Sequence, residues 1–499
     1  MRDAPSQPVT TSFNAASNLR HRIFWPAALF CLLFILGATA IGPMLIRDQD
    51  TYWHIASGRD IWTTGSLPWV DKFSHTFTGQ RWIAKEWLSQ LLLAGTYEAF
   101  GFKGLIALAS GAIALSFTLV FVALSYQLNI LPAIVGTAFA YSFSVPHLVA
   151  RPHLLSYPLM VWWVMAVVRA ADRRTVPSLL LLPIIIVWAN VHAGFSLGLA
   201  VAGALAVEAV IASNPNERWT TARRWGLFLA GALLASFVTP YGVYALYNTY
   251  QIFGGNEALQ QIGEWRPFNF GDEPILGKML FLALFASLIF GVKLPLVRCA
   301  VVVVLLYMTM IHMRFVSVLA PVVPILIAAP LAKQFSYLRA NASPQFSGLV
   351  DRATRPASLA LITLLMAIVL GSVSTLTNPQ PPNWSVPVGA IDYIKAHGKN
   401  AKVYNDYQFG GYLIFRGIPS FIDGRTDQLF LGGFMSSIGQ ALRESEAAFL
   451  ALLDKYDVTL AIVVPRSPAA DRLSKADSWR EVYSDEAALV YERSPRPSK

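Results

Sequence analysis

The stretch RDQDTYWHIASGRDIW, residues 47–62, decides how the chain is read. Two carboxylates, Asp48 and Asp50, and the imidazole of His54 follow directly on an uncharged, mostly apolar run from Phe24 to Ile46. At 1.5 Å per residue, a helix of that length crosses the ~30 Å hydrocarbon core of a bilayer. The aspartates then stand at the water edge of a membrane. The run exceeds the 7–15-residue core of a cleaved signal peptide and has no clean cleavage site, so it is expected to be a retained first span.

The rest of the chain fits that start. Of its 499 residues, 55% are hydrophobic and only 14% charged, with mean hydropathy +0.48. A soluble domain carries about 25% charge, so a soluble multidomain enzyme is excluded. Spans are expected at 24–46, 104–126, 130–146, 155–170, 176–190, 194–212, 225–241, 277–292, 299–312, 316–331 and 357–376. Pro132, Pro158, Pro183, Pro321 and Pro324 fall within them, which neighbouring helices tolerate. The expected fold class is a polytopic α-helical membrane protein of about eleven helices with a small C-terminal α/β domain. Its parts are an N-terminal cytoplasmic tail (1–23), a transmembrane domain (24–376) with a first outer loop at 47–103, and an outer domain (377–499). Cys31 and Cys299 lie in apolar segments, so no disulfide framework is expected.

The net charge of +10 belongs to cytoplasmic loops, which collect Lys and Arg. No zinc pattern, basic stripe or nucleic-acid motif is present, and no nucleic-acid partner is expected. Arg2, Arg20 and Arg22 place the N-terminus in the cytoplasm. EWLSQLLLAGTYEAFG, residues 86–101, would be about 22 Å long as a helix, short for a crossing. As an interfacial helix, it leaves Arg169/Arg173/Arg174, Arg218/Arg223/Arg224, Lys293/Arg298 and Lys333/Arg339/Arg352/Arg355 on the cytoplasmic side. Counted as a span, it would put nearly all of them outside. SNPNERWTTARR, residues 213–224, reads as a cytoplasmic linker. The expected location is a bacterial inner membrane, with the C-terminal domain in the periplasm.

That domain follows a Pro-rich hinge, NPQPPNWSVP (378–387). AKVYND (401–406), GGYLIF (410–415) and PSFID (419–423) read as short strands, and ALRESEAAFLALLDKYDV (441–458) as one amphipathic helix. TLAIVVP (459–465) is a buried strand, and AALVYER (487–493) closes the domain. Asp406, Asp423 and Arg425 are expected in turns and internal ion pairs rather than in an acceptor site.

Ionisable groups near membrane depth are costly and mark sites or pathways. On this topology they gather at the outer ends: Asp48, Asp50 and His54; Glu86; His147, Arg151 and His153; Asn190 and His192; Tyr241, Asn248 and Glu264; His312 and Arg314. His75 and His397 are also outside, and only His21 is cytoplasmic. Taken singly, each is explained by snorkelling or capping; their common sidedness points to a site. Guanidiniums hold phosphate, and a carboxylate can accept a hydroxyl proton or instead ligate a divalent metal. No Walker loop or GxGxxG for a nucleotide donor occurs.

A first outer loop with acidic residues just after span one, an interfacial helix in that loop, many further spans and an outer tail resemble the GT-C superfamily. That group includes protein O-mannosyltransferases, the lipid A aminoarabinose transferase and oligosaccharyltransferases. The likeness covers roughly residues 20–376, with RDQDTYWHIASG as its local match. It implies inverting transfer of a sugar from a polyprenyl-phosphate-linked donor to a lipid, glycan or protein acceptor at the outer face of the membrane. Asp50, or its neighbour Asp48, would be the base. Arg151, Arg314 and His153 would hold the donor phosphate, with His54, Glu86, Asn190, His192 and Glu264 in support. The DQD spacing departs from the family's usual adjacent acidic pair, and Mg or Mn is the candidate metal. The competing readings are a transporter or lipid flippase, opposed by charge gathered at one face with no inverted repeat, and a non-catalytic envelope assembly protein.

Overall fold

The computed structural model describes residues 24–247, 263–340, 379–398 and 400–494. The N-terminal tail, Asn248 and the expected span 357–376 lie outside them. Every other expected span falls on a helix. Five helices are long and apolar enough to cross a membrane: Trp87–Ser125, Ile130–His147, Pro152–Asp172, Phe195–Ala212 and Met313–Gln334. The remaining expected spans coincide with shorter apolar helices, Phe24–Ala40, Leu179–Val191, Pro274–Ile289 and Leu296–Ile311, and with Arg218–Ser236. Among the described residues, five helices reach full length, and ten of the eleven expected spans fall on helices. On Pro274–Ile289, Phe281, Leu282, Phe285, Leu288 and Ile289 are each more than 60% exposed. Such a surface is untenable in water and ordinary in lipid, and the protein is a membrane protein.

Six helices position the candidate site: α1 (Asp50–Thr64), α2 (Trp87–Ser125), α3 (Pro152–Asp172), α4 (Phe195–Ala212), α5 (Leu296–Ile311) and α6 (Val316–Gln334). Helix α1 stops where Gly65 turns left-handed at φ 63° and its N–H returns to the Ile61 carbonyl. It packs so closely on α2 that a Cβ at Gly58 would overlap the Gln90 carbonyl. Helix α2 is really two segments, broken at Gly101 (φ 61°, ψ −151°), a conformation open to glycine alone. The break falls between the expected interfacial helix and second span. Leu105, Ile113 and Phe117 of α2 share one buried core with Val161, Trp163 and Val164 of α3 and Val316, Val322 and Leu326 of α6. Pro158 lies inside α3, and Pro321 and Pro324 inside α6.

Two readings of the basic clusters change. The expected linker 213–224 is shorter, because a helix already begins at Arg218. Arg298, expected in a solvated basic loop, is 2% exposed. It is drawn in on α5 by Asp172 and Glu208.

The C-terminal segment, expected to be the outer domain, carries a four-stranded sheet: β1 (Val403–Asn405), β2 (Leu460–Val463), β3 (Trp479–Ser484) and β4 (Leu489–Arg493), in the order β1-β2-β4-β3. β1 runs parallel to β2 and the other pairs are antiparallel. AKVYND, TLAIVVP and AALVYER are strands as expected, whereas GGYLIF is a helix, Gly410–Phe415. A short apolar run suits either state. Here its glycines let the helix approach the carbonyls of Ile422 and Gln49. PSFID forms no ladder strand, making only a bridge between Ser420 and Ser74. The expected helix 441–458 is split between Phe434–Glu444 and Glu446–Lys455 by Ser445, whose hydroxyl caps the second piece by accepting from the Ala448 N–H at 3.0 Å.

Candidate functional site

Asp50 opens α1, where a carboxylate is favoured by the helix dipole. Its N–H donates to Asp48 Oδ1 at 2.8 Å, which ties the two acidic residues into one turn. Arg151, ending the connection into α3, reaches both: Nη1 lies 3.2 Å from Asp48 Oδ2, and Nη2 lies 2.9 Å from Asp50 Oδ2. Nη1 also donates to Glu264 Oε1. Arg314 stands further off, 3.9 Å from Glu264 Oε2, with its guanidinium 5.2 Å from the Trp265 ring. Four of the expected site residues thus meet at one guanidinium, and a fifth flanks them.

Burial pushes the Asp50 carboxyl up, and the Asp48 and Glu264 charges add to that, against the pull of Arg151. Burial acts on Glu264 in the same sense, but Arg151 and Arg314 together hold it below the usual carboxylate range. Asp50, unlike Glu264, is therefore poised to take up and release a proton around neutrality.

A second group forms around Glu86, at the start of α2. His54 Nε2 lies 3.8 Å from one carboxylate oxygen and His192 Nε2 lies 3.5 Å from the other. His192 Nδ1 accepts from the Gly194 N–H at 3.0 Å, so its proton sits on Nε2 and points at Glu86. The same logic holds for His54. Ser57 donates to Gln90 Oε1, so the Gln90 amide donates to His54 Nδ1 at 3.4 Å. Burial first, then neighbouring cations, keeps both imidazoles neutral. Burial also lifts Glu86.

The remaining expected residues have structural partners. His153 Nε2 donates to the His147 carbonyl at 2.9 Å. Its other ring nitrogen is then an acceptor, which a phosphate does not need. The Asn190 amide is spent on the Ile186 and Val238 carbonyls, and its oxygen accepts from Trp87 Nε1 at 2.7 Å. It anchors the residue beside Glu86 without facing the Arg151 group. His312 contacts the Trp265 carbonyl, and the Tyr241 hydroxyl donates to the Pro68 carbonyl.

The carboxylates were also candidates for Mg or Mn. A divalent ion needs oxygens converging on open space. Asp48, Asp50 and Glu264 converge instead on Arg151, whose guanidinium takes the central position. Among the described residues, no group of three or more His, Cys, Asp or Glu side chains could hold a metal. The donor set does not fit the metal.

Reading the sequence missed the part of the C-terminal segment in this site. Gly424 packs against the Asp50 carboxylate, and Tyr407 lies close enough to feel the charges of Asp50 and Arg151. FIDGRTD advertises only a turn; nothing in its composition says where the turn docks.

Sequence comparison finds no matching family model and no matching curated relative. Solved structures do match in shape. The oligosaccharyltransferase AglB from Archaeoglobus fulgidus, in complex with an inhibitory peptide and a dolichol-phosphate, aligns at TM-score 0.53 and 10% identity, over 88% of this chain and 69% of its own. The apo form of the Archaeoglobus fulgidus oligosaccharyltransferase gives 0.54 and 9% over the same shares. ArnT from Cupriavidus metallidurans bound to undecaprenyl phosphate gives 0.48 and 14%, over 92% and 97%. The likeness to the oligosaccharyltransferase, above 0.5 across most of both chains, shows that this chain has the GT-C fold.

Proposed function

We propose that the protein is a glycosyltransferase that moves a sugar from a polyprenyl-phosphate-linked donor to an acceptor at the outer face of a bacterial inner membrane. The observation that carries this reading is the convergence of Asp48, Asp50 and Glu264, from two separate outer connections, on Arg151 from a third. In the reaction, the acceptor hydroxyl gives its proton to Asp50 as its oxygen bonds to the anomeric carbon. The bond from that carbon to the carrier phosphate breaks with inversion, and the polyprenyl phosphate leaves with the electron pair. Arg314, more exposed than Arg151 (34% against 13%) and placed by a long contact to Glu264 and by the Trp265 ring, is the first cation to meet the phosphate. Arg151 joins it while orienting Asp50. Asp48 and Glu264 fix Arg151, and Glu86 with its two imidazoles supports the wall behind. His153 and Asn190 serve the scaffold.

The test is a lipid-resolved mass analysis of the purified protein beside the Asp48→Asn/Asp50→Asn double variant. A polyprenyl-phosphate sugar should accompany the protein and accumulate on the variant. Absence of any such lipid from both samples, or lipid flipping by wild type in liposomes, would overturn the reading.

A further inference from the structure

The outer-domain segment 420–428 lies along the first outer loop and is bolted to it. Arg425 is fully buried. Its Nε and Nη2 each reach Asp423 at 2.7 Å, and its Nη1 donates to Asp71 of the first loop. Asp423 also accepts from the Ser420 hydroxyl at 2.7 Å. The guanidinium lies 5.3 Å and 5.1 Å from the rings of Phe73 and Trp82, again from the first loop. Beyond the turn, Lys85 pairs with Asp427, and Gln428 exchanges two 3.1 Å hydrogen bonds with the Ile83 backbone. The turn is thereby held between Asp50 on one side and the residue preceding Glu86 on the other.

Gly424 is where the turn meets Asp50. A Cβ there would overlap Oδ1, Cγ and Oδ2 of that carboxylate. Gly424 does not have a positive φ, so backbone conformation does not demand glycine; the space occupied by Asp50 does. The same domain touches the preceding residue, since a Cβ at Gly411 would overlap the Gln49 carbonyl.

We propose that Gly424 is a positioning residue for the base, and that the 423–427 turn of the outer domain is the wall that holds the Asp50 carboxylate toward Arg151. A domain that merely covered the site would leave space between turn and carboxylate. Here it is in contact with the atoms that titrate. The proposal rests on the reading of Asp50 as the base, and its test keeps the two apart.

Gly424→Ala should lower kcat about 100-fold, the cost of a misplacement on the order of 1 Å, with KM for the donor little changed and the acid limb of the pH profile displaced. Gly398→Ala is the control. Its Cβ meets Leu460 and Ile394 inside the outer domain, so it strains that domain away from Asp50 and should leave kcat per folded molecule intact. Labelling of Asp50 by a hydrophobic carbodiimide, read by mass spectrometry, supplies an arm independent of turnover. It should accelerate in Gly424→Ala, accelerate less in the milder Asp427→Asn, and stay at the wild-type rate in Gly398→Ala. Equal labelling in all four proteins, or a Gly424→Ala enzyme with wild-type kcat and pH profile, would overturn the proposal. Full transfer by Asp50→Asn would overturn the reading of the base, while the labelling would still report whether the turn holds the carboxylate.

Discussion

Arg298 and Arg151 are both drawn into carboxylates supplied by separate segments, yet the two clusters are finished differently. Arg298 is 2% exposed. Its Nε faces both Glu208 oxygens at 2.9 and 3.1 Å, Nη2 meets Asp172 at 2.6 Å, and Nη1 donates to the Leu326 carbonyl at 2.9 Å. Every nitrogen is engaged and water is nearly excluded. Arg151 gathers three carboxylates, whose side chains remain 19–32% exposed, and the second cation beside them is 34% exposed. Three carboxylates face two guanidiniums here and two face one at Arg298, so each cluster carries one surplus acid and exposure is what separates them. A cluster closed to water pins helices; one that water reaches can bind and exchange protons. The difference lies in what remains exposed.

The comparison breaks if the two clusters respond alike. The largest effect is expected at Asp50. Asp50→Asn should reduce transfer about 10²–10⁴-fold while the donor lipid still co-purifies, as followed by single-turnover assay and lipid mass analysis. A fully active variant would make the Arg151 cluster as structural as the Arg298 one. Arg298→Met should instead cost about 3–5 kcal/mol of stability by leaving two buried carboxylates unpaired, with kcat per folded molecule unchanged. Thermal unfolding in detergent, paired with counting of active sites, checks this, and a lower kcat at unchanged Tm would contradict it. Arg151→Gln should weaken donor binding roughly tenfold, from the loss of a hydrogen bond to a charged group. It should also move the acid limb of activity to higher pH. Arg151 opposes the upward push of burial on Asp50, so without it the carboxyl keeps its proton to higher pH, and the deprotonated base is lost sooner as pH falls. The smallest effect is expected from EDTA, which should leave the rate as it was, because Arg151 fills the position a metal would need. Loss of activity restored by Mg or Mn would show that the guanidinium moves aside.

Much of this was legible in the chain because lipid is a demanding solvent. Uncharged runs from Phe24 onward had to become helices, and polar groups at their outer ends had to find one another. Arg151, Glu264 and the DQD pair could be grouped from sidedness alone. Other features turn on contacts that sequence does not encode locally. Arg298 looked like a topological marker because Asp172 and Glu208 lie on other helices. GGYLIF looked like a strand because burial, not periodicity, sets its state. Ser445 split an amphipathic run through a cap that its neighbours did not announce. His153 and Asn190 are polar residues near the site whose hydrogen bonds are used on backbone and scaffold. The docking of Gly424 on Asp50 depends on a close approach between segments far apart in the chain.

That separation has a consequence for how the protein is made. Asp71 and Arg425 stand 354 residues apart. At about 5–20 residues per second, a ribosome needs on the order of 20–70 s to pass from one to the other. Throughout that interval the first outer loop has been synthesised without its fastening, and Asp71 has no guanidinium to meet. The contact is therefore completed late, once the C-terminal segment has been made. A chain whose synthesis stopped short of Arg425 would carry Asp48, Asp50 and Arg151 without the segment packed against them, so on the proposed reading the length of the message acts as a safety catch on the chemistry.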